Sequence, residues 1–321
     1  MVLVPLIAGT LGTTSNSKTE AYTKMTALPF ANRTPNRMVA RLAGLAALGL
    51  LAGSLAAGEA RAEEWTKSYT ISGRARVHVD SNDGSVRVTT GDSNQVEFRV
   101  IYNGYTMDKN LTVSSNQSGD QVQVSARVRT GFTFGWGVHR GLRIEVHMPR
   151  NADLNVDTGD GSVESDAING NLDIHTGDGH IRVDGAKGQI RLRTGDGSIE
   201  GRDLDGQLEA TSGDGHITVE GRFDALNIKT GDGSVTARAN PGSKLANSWN
   251  VHTGDGSVTM SLPGDLQANI DASTNDGRIS LGLPVLVEGT MGTSQIHGKM
   301  NGGGPALTIH TGDGSIHLSK T

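Results

Sequence analysis

Residues 158–199 read TGDGSVESDAINGNLDIH, then TGDGHIRVDGAKGQIRLR, then TGDGSI, so one phrase returns twice at an interval of 18 residues. Eight copies punctuate the chain, with aspartates at Asp160, Asp178, Asp196, Asp214, Asp232, Asp255, Asp276 and Asp313. The first five stand 18 residues apart, and a fixed period of this length marks a solenoid. Later spacings are 23, 21 and 37. The first two fit a coil with a short insertion. The third fits two coils, one of which has lost its Asp-Gly. A degenerate ninth copy, SNDGSV at residues 81–86, starts the series earlier.

Counted from the Thr, offsets 5, 7, 14 and 16 collect Val163, Ile181, Ile199, Ile217 and Val235; Val183 and Val219; Leu172, Ile190, Leu208 and Leu226; and Ile174, Leu192 and Ile228. Each period therefore holds two short alternating strands with one apolar face. Asp-Gly is the turn between them, because Gly accepts positive φ and Asp can bond the backbone two residues on. A looser turn is expected near Gly185, Gly201 or Gly221. Two strands cannot bury a face alone, so the coils must stack at the ~4.8 Å spacing of sheet strands. A meander of hairpins would share the alternation, but it has no reason to keep one turn in phase over five periods.

The expected fold is thus all-β, a single-stranded β-helix or β-solenoid of ~18-residue coils, right-handed as parallel crossovers are. On the outward face, Glu164, Arg182 and Glu200 become neighbours in register, as do Asp173, Arg191 and Glu209. Such pairs add about 0.2 to 1 kcal/mol each and help to set the register.

The flanks differ from this body. Residues 38–62 read MVARLAGLAALGLLAGSLAAGEARA, a basic start, an apolar run and an Ala-Arg-Ala end, which is the pattern of a cleaved export signal. The rival reading is a membrane anchor, and the run is short for that role. Residues 1–37 lack hydrophobic periodicity and read as a mis-assigned extension ahead of a start at Met38. Removing residues 1–62 takes six basic and two acidic residues from totals of 29 and 34, leaving a net charge of −9. That charge disfavours nucleic acid and anionic lipid as partners. The chain has no cysteine, so it uses neither a disulfide nor a lipid-modified Cys. A periplasmic, cell-surface or secreted location is expected.

Residues 63–150 hold eight of the ten aromatics beyond residue 62: Trp65, Tyr69, Phe98, Tyr102, Tyr105, Phe132, Phe134 and Trp136. Longer strands are expected there, and the segment is read as an aromatic-rich β cap ahead of the solenoid at 151–321. The Gly-flanked Phe132, Phe134 and Trp136 either plug that cap or, if exposed, form a partner-binding patch.

Candidate chemistry is sparse. In-register stacking lines up Asp160, Asp178, Asp196, Asp214 and Asp232 along one edge, where like charges ~4.8 Å apart repel by roughly 1 kcal/mol in water. Turn N–H groups or Ca²⁺ between coils would offset this. Calcium-binding nonapeptide rolls carry GGxGxD in both half-turns, whereas the second half here reads VDGAKGQ or VEGRFDA, which favours a structural turn over a cation site. His175, His180, His216, His252, His310 and His317 flank the same turns, and His175 with His180 is the one pair considered for a transition metal. They lack HxxxH spacing and read as exposed strand positions. Ser162, Ser198, Ser234, Ser257 and Ser315 sit at strand starts without a GxSxG elbow. No catalytic residue, cofactor or confident metal site is assigned.

The run LRIEVHMPRNADLNVDTGDGSV at residues 142–163, LPVLVEG at 283–289 and GKMNGGGPALTIHTGDGSIHL at 298–318 resemble the bacterial putative adhesin family, whose function is unknown. The resemblance spans about residues 65 to 321 and implies an exported or envelope-associated β-helical protein. It carries over no catalytic or ligand residues. Three readings follow: a non-enzymatic surface or envelope scaffold, a calcium- or glycan-binding module, and, least favoured, a β-helical carbohydrate-active enzyme. Expected partners are an envelope or extracellular protein or a glycan, with self-association open and membrane contact only through an uncleaved leader.

Overall fold

The computed structural model describes residues 62–129, 140–287 and 292–321. The extension 1–37, the leader at 38–62 save Ala62, and Phe132, Phe134 and Trp136 lie outside the described residues.

The described residues form no helix and 23 strands. The first seven are β1 (Glu63–Thr70), β2 (Ala75–Ser81), β3 (Ser85–Gly91), β4 (Gln95–Asn103), β5 (Leu111–Ser118), β6 (Gln121–Val128) and β7 (Gly141–Pro149). The period then runs through β8 (Ala152–Thr158), β9 (Val163–Ser165), β10 (Asn169–Thr176), β11 (Ile181–Asp184), β12 (Lys187–Thr194), β13 (Ile199–Thr211), β14 (Ile217–Lys229) and β15 (Val235–Ala239). The last eight are β16 (Trp249–Thr253), β17 (Val258–Leu262), β18 (Ala268–Thr274), β19 (Ile279–Gly282), β20 (Leu286–Val287), β21 (Gln295–Met300), β22 (Ala306–Thr311) and β23 (Ile316–Lys320).

Pairing is parallel from coil to coil, and Leu172↔Ile190, Ile174↔Leu192 and Ile181↔Ile199 each join residues 18 apart. That register establishes a solenoid and rules out a hairpin meander, which would pair neighbours antiparallel. Each coil gives one strand to a first sheet and one to a second, and β13 and β14 join the two into one continuous 23-stranded sheet. Offset 5 forms an internal column in the second sheet, Val86, Val163, Ile181, Ile199, Ile217, Val235, Val258, Ile316 and Ile279, all buried. Offset 16 forms its counterpart in the first sheet, from Val79 and Val156 through Ile174, Leu192, Ala210 and Ile228 to Val251, Ile309 and Ala272. β-Branched and leucine side chains stacked on themselves at strand spacing suit a pleated, buried surface.

Three local expectations need correction. The looser turn near Gly201 and Gly221 is absent, because β13 and β14 run unbroken through both sheets and bend at register shifts between Gly201 and Leu204 and between Gly206 and Gln207. The 37-residue interval does not contain a coil without Asp-Gly. Instead, β20 and β21 pair antiparallel, and β21 lies antiparallel on β18. The turn glycines Gly161, Gly179, Gly197, Gly215 and Gly233 are not among the residues with positive φ. They are required for a different reason. A Cβ at Gly197 would stand 1.9 Å from the Gly179 carbonyl oxygen of the preceding coil, and one at Gly179 2.1 Å from that of Gly161.

Coil order in space departs from chain order at both ends. β2/β3 lies between β6/β7 and β8/β9, and β22/β23 lies between β16/β17 and β18/β19. At the first end, β5 joins β6, β4 joins β7 and β1 joins β4, all antiparallel. Phe98 is fully buried there against the edge of Tyr69, with ring centroids 6.2 Å apart.

Candidate functional site

The repeated corner is where the sequence concentrates its polar residues, and its Thr proves to be internal. Thr158, Thr176, Thr194, Ser212, Thr230, Thr253, Thr274 and Thr311 are all buried in one column with Ser81. In each coil the hydroxyl reaches back to the preceding coil. Thr194 Oγ1 donates to the Gly179 carbonyl at 2.9 Å, while the Gly197 N–H of its own coil donates to Thr194 Oγ1 at 3.2 Å. Thr176, Ser212, Thr253 and Thr311 repeat both bonds, so one side chain satisfies two buried backbone groups per coil. Beside it, the first glycine N–H donates to the first glycine carbonyl one coil back, as Gly177 does to Gly159 at 2.6 Å.

The residue after Asp-Gly serves the next coil. The Ser198 N–H donates to His180 Nδ1 at 3.1 Å and the Ser234 N–H to His216 Nδ1 at 3.0 Å, while Ser162 Oγ accepts from the His180 N–H at 3.3 Å and Ser257 Oγ from the Ser315 N–H. Ser and His are interchangeable there because each offers an acceptor to the same exposed N–H. This gives His180, His216, Ser162 and Ser257 structural work. His175 instead faces out of β10 in register with Asp157 and Arg193. His252 and His310 stack at 5.2 Å with 10° between ring planes, and Ser273 bonds His310 Nδ1 at 3.0 Å. Burial first, then His310 and Lys229, lowers the His252 pKa below the ordinary histidine value.

Asp160, Asp178, Asp196, Asp214 and Asp232 are exposed in single file along the corner. Each carboxylate lies over the first glycine of the next coil: Asp214 Oδ1 is 3.1 Å from where a Cβ on Gly231 would stand. Among the described residues, no three His, Asp or Glu side chains gather as a metal-binding group.

The outer sheet faces carry the charge ladders that the period implied. On the second sheet Arg182 pairs with Glu200 and Arg87 with Glu164, and Arg99 bridges Glu64 at 2.6 Å and Glu145 at 3.4 Å. On the first sheet Arg191 and Arg193 both bridge Asp173 and Glu209 at 3.2 to 3.9 Å. Beside this bridge, sequence reasoning missed a concavity of about 440 Å³ whose wall crosses β6, β2, β8, β10 and β12 and includes Arg76, His78, Asp153, Asn171, Gln189 and Arg191. Burial would raise the Asp153 pKa, but the Asn171 N–H at 2.9 Å and the Arg74 guanidinium hold it below the usual carboxylate value. The one signal for it was the shared offset 13 of Asp153, Asn171 and Gln189, in a row that varies in residue type. Among the described residues, no hydrogen bond ends on the side-chain amides of Asn171, Gln189 or Gln207.

A crystal structure described as a putative lipid binding protein from Parabacteroides distasonis ATCC 8503 is 14% identical, covering 80% of this chain and 97% of that one, with a TM-score of 0.44. A putative adhesin from Bacteroides fragilis NCTC 9343 is 10% identical over 80% and 97%, with a TM-score of 0.41. A putative cell adhesion protein from Clostridium sporogenes ATCC 15579 is 12% identical over 81% and 100%, with a TM-score of 0.29. Likeness at this level carries no argument about function. No curated protein sequence matches the chain. Residues 75–319, which hold the whole series of corners from Ser81 to Thr311, match the Toastrack DUF4097 family, and the chain belongs to that family.

Proposed function

We propose that this protein is an exported, non-enzymatic scaffold of the cell envelope or surface that acts in an adhesin-like way, presenting one extended polar face to a protein or glycan. The observation that carries this reading is the first-sheet concavity, whose wall draws residues from five strands of successive coils. A ligand filling it must itself be extended across coils. Its floor is charge-balanced by Arg76 and Arg191 against Asp153 and Asp173, and the amides of Asn171 and Gln189 each offer two donors and one acceptor. That favours a hydroxyl-rich or otherwise uncharged polar chain over a polyanion. Right-handed winding and an end-covering role for the aromatic-rich strands belong to the same proposal, as sheet edges left bare invite pairing with other chains.

The test is binding of the purified protein to glycan and extracellular-protein arrays, with Gln189→Ala combined with Asn171→Ala and with Arg76→Ala as variants. Loss of the bound signal with an unchanged melting temperature supports the assignment. Full retention of binding in both variants refutes this face as the site. Cell fractionation with N-terminal sequencing tests export, and a mature chain found in the cytoplasm overturns it.

A further inference from the structure

The β22/β23 coil occupies a slot between two coils that precede it in the chain. On one wall Trp249, Val251 and Thr253 meet Leu307, Ile309 and Thr311; on the other Ile270, Ala272 and Thr274 meet the same three residues. In the second sheet Val258 and Ile279 both face Ile316. Leu307, Ile309, Ile316 and Leu318 are fully buried. The corner is matched as closely. Thr311 Oγ1 donates to the Gly256 carbonyl at 2.7 Å, and Thr274 Oγ1 donates to the Gly314 carbonyl at 2.8 Å. The slot therefore reads a hydroxyl at 311, glycines at 312 and 314 and a β-branched residue at 316, which together make one TGDGSI coil.

The chain reaches this slot through a strained hinge. After β21 it must cross β18, and it does so at Asn301, Gly302 and Gly303, three consecutive residues with φ of 51°, 86° and 86°. Asn301 pays for a left-handed conformation that a non-glycine residue seldom adopts, and its Nδ2 is held by the Gly264 and Leu266 carbonyls at 2.9 and 2.8 Å. A tight, strained hinge ahead of an element with a complete binding slot is the arrangement from which identical elements exchange between copies.

We propose that β22/β23 is an exchangeable coil and that its partner is a second copy of this chain. With residues 301–305 opened, the coil of each copy fills the slot of the other. Every contact within the slot is preserved in the exchanged pair, so the balance between closed monomer and exchanged dimer depends on hinge strain and on protein concentration. Crowding of copies on a surface favours exchange.

The chain has no native cysteine, and Thr259 and His317 are exposed register partners across one wall of the slot. The full chain carrying Thr259→Cys and the full chain carrying His317→Cys are unfolded together, refolded at rising protein concentration and oxidised. A disulfide-linked heterodimer whose yield grows with concentration is expected. The double variant, with both cysteines in one chain, should close an internal disulfide when refolded dilute. Internal closure without any crosslink between chains at high concentration overturns exchange. Failure of the internal disulfide in a folded double variant overturns the placement of the coil itself. Deleting Gly302 and Gly303 should move the folded population from monomer to dimer, and a folded monomer that persists after the deletion counts against the proposal.

Discussion

Replacing Thr194 by Val tests whether the corner hydroxyl, rather than the Asp-Gly turn it precedes, holds one coil to the next. Valine keeps the shape and removes the hydroxyl. The Gly179 carbonyl then loses the donor at 2.9 Å, which is the one protein donor reaching it among the described residues, and the Gly197 N–H loses its acceptor at 3.2 Å. Thr194 is 6% exposed, so water does not readily replace either bond. An orphaned buried backbone group costs about 1–3 kcal/mol, and two such groups put the substitution at about 2–6 kcal/mol. Thr194→Ser removes one methyl and keeps both bonds, at about 0.8 kcal/mol, and Ser212 already does this work one coil later. Equilibrium urea denaturation followed by far-UV circular dichroism reads the difference as a midpoint shift at constant slope. If the Val variant proves as stable as the Ser variant, the hydroxyl column is not what satisfies the corner.

Four further outcomes follow from the same geometry. Gly197→Ala should cost about 3 kcal/mol or more, because its Cβ meets the Gly179 carbonyl oxygen, whereas Gly141→Ala, which meets nothing within 4 Å, should leave the melting temperature unchanged. Arg191→Ala should cost less than about 1 kcal/mol and become neutral in high salt, since the bridge is partly exposed and Arg193 spans the same two carboxylates. His252 has a lowered pKa in the folded chain, so the unfolded chain takes up its proton first as pH falls. Its contribution to stability is complete above the ordinary histidine pKa and is lost as pH drops from there through the folded value; melting curves between about pH 7.5 and pH 5 should flatten in His252→Asn. Millimolar Ca²⁺ should leave the melting temperature unchanged, because each coil offers the corner one exposed carboxylate; a large rise abolished by Asp196→Ala with Asp214→Ala would contradict that.

The strands, their inward columns and the charge ladders were legible because each follows from a period of 18 and an alternation of 2, and the structure keeps both. Arg182 beside Glu200 and Arg191 between Asp173 and Glu209 needed nothing more than in-register stacking. The role of the glycines was misread for a physical reason. Asp-Gly is a turn signal through positive φ, but the constraint here comes from the adjacent coil, and a single-sequence turn rule contains no adjacent coil. The buried Thr was missed on the same account, since its acceptor lies 15 residues back at Gly179 for Thr194 and 55 residues back at Gly256 for Thr311. The concavity was hidden because its row of Asp153, Asn171 and Gln189 differs in residue type while sharing an offset.

The order of the coils was beyond reach for a deeper reason. The period specifies the register of a coil, but it does not specify its neighbour, because every TGDG corner offers the same hydroxyl, glycines and β-branched residue to any other. Thr311 bonds the corner of Gly254 and Gly256, although Thr274 carries the same groups and lies nearer in sequence. The choice must then come from what differs between coils. Trp249 supplies such a difference: it is fully buried, stacks edge-on against Phe223 at 6.3 Å and meets Leu307 of β22 in register. Ile270 meets the same Leu307 from the other wall of the slot with a smaller side chain. The antiparallel hold of β21 on β18, and the turn at Asn301 that follows it, place β22 on the far side of β18 from β21. Neighbour selection thus lies in a few large side chains and one strained crossing, while the repeat supplies a joint that any copy can use. A solenoid built from interchangeable joints gains an extended surface cheaply, and for the same reason it must guard against, or employ, the insertion of a coil from another chain.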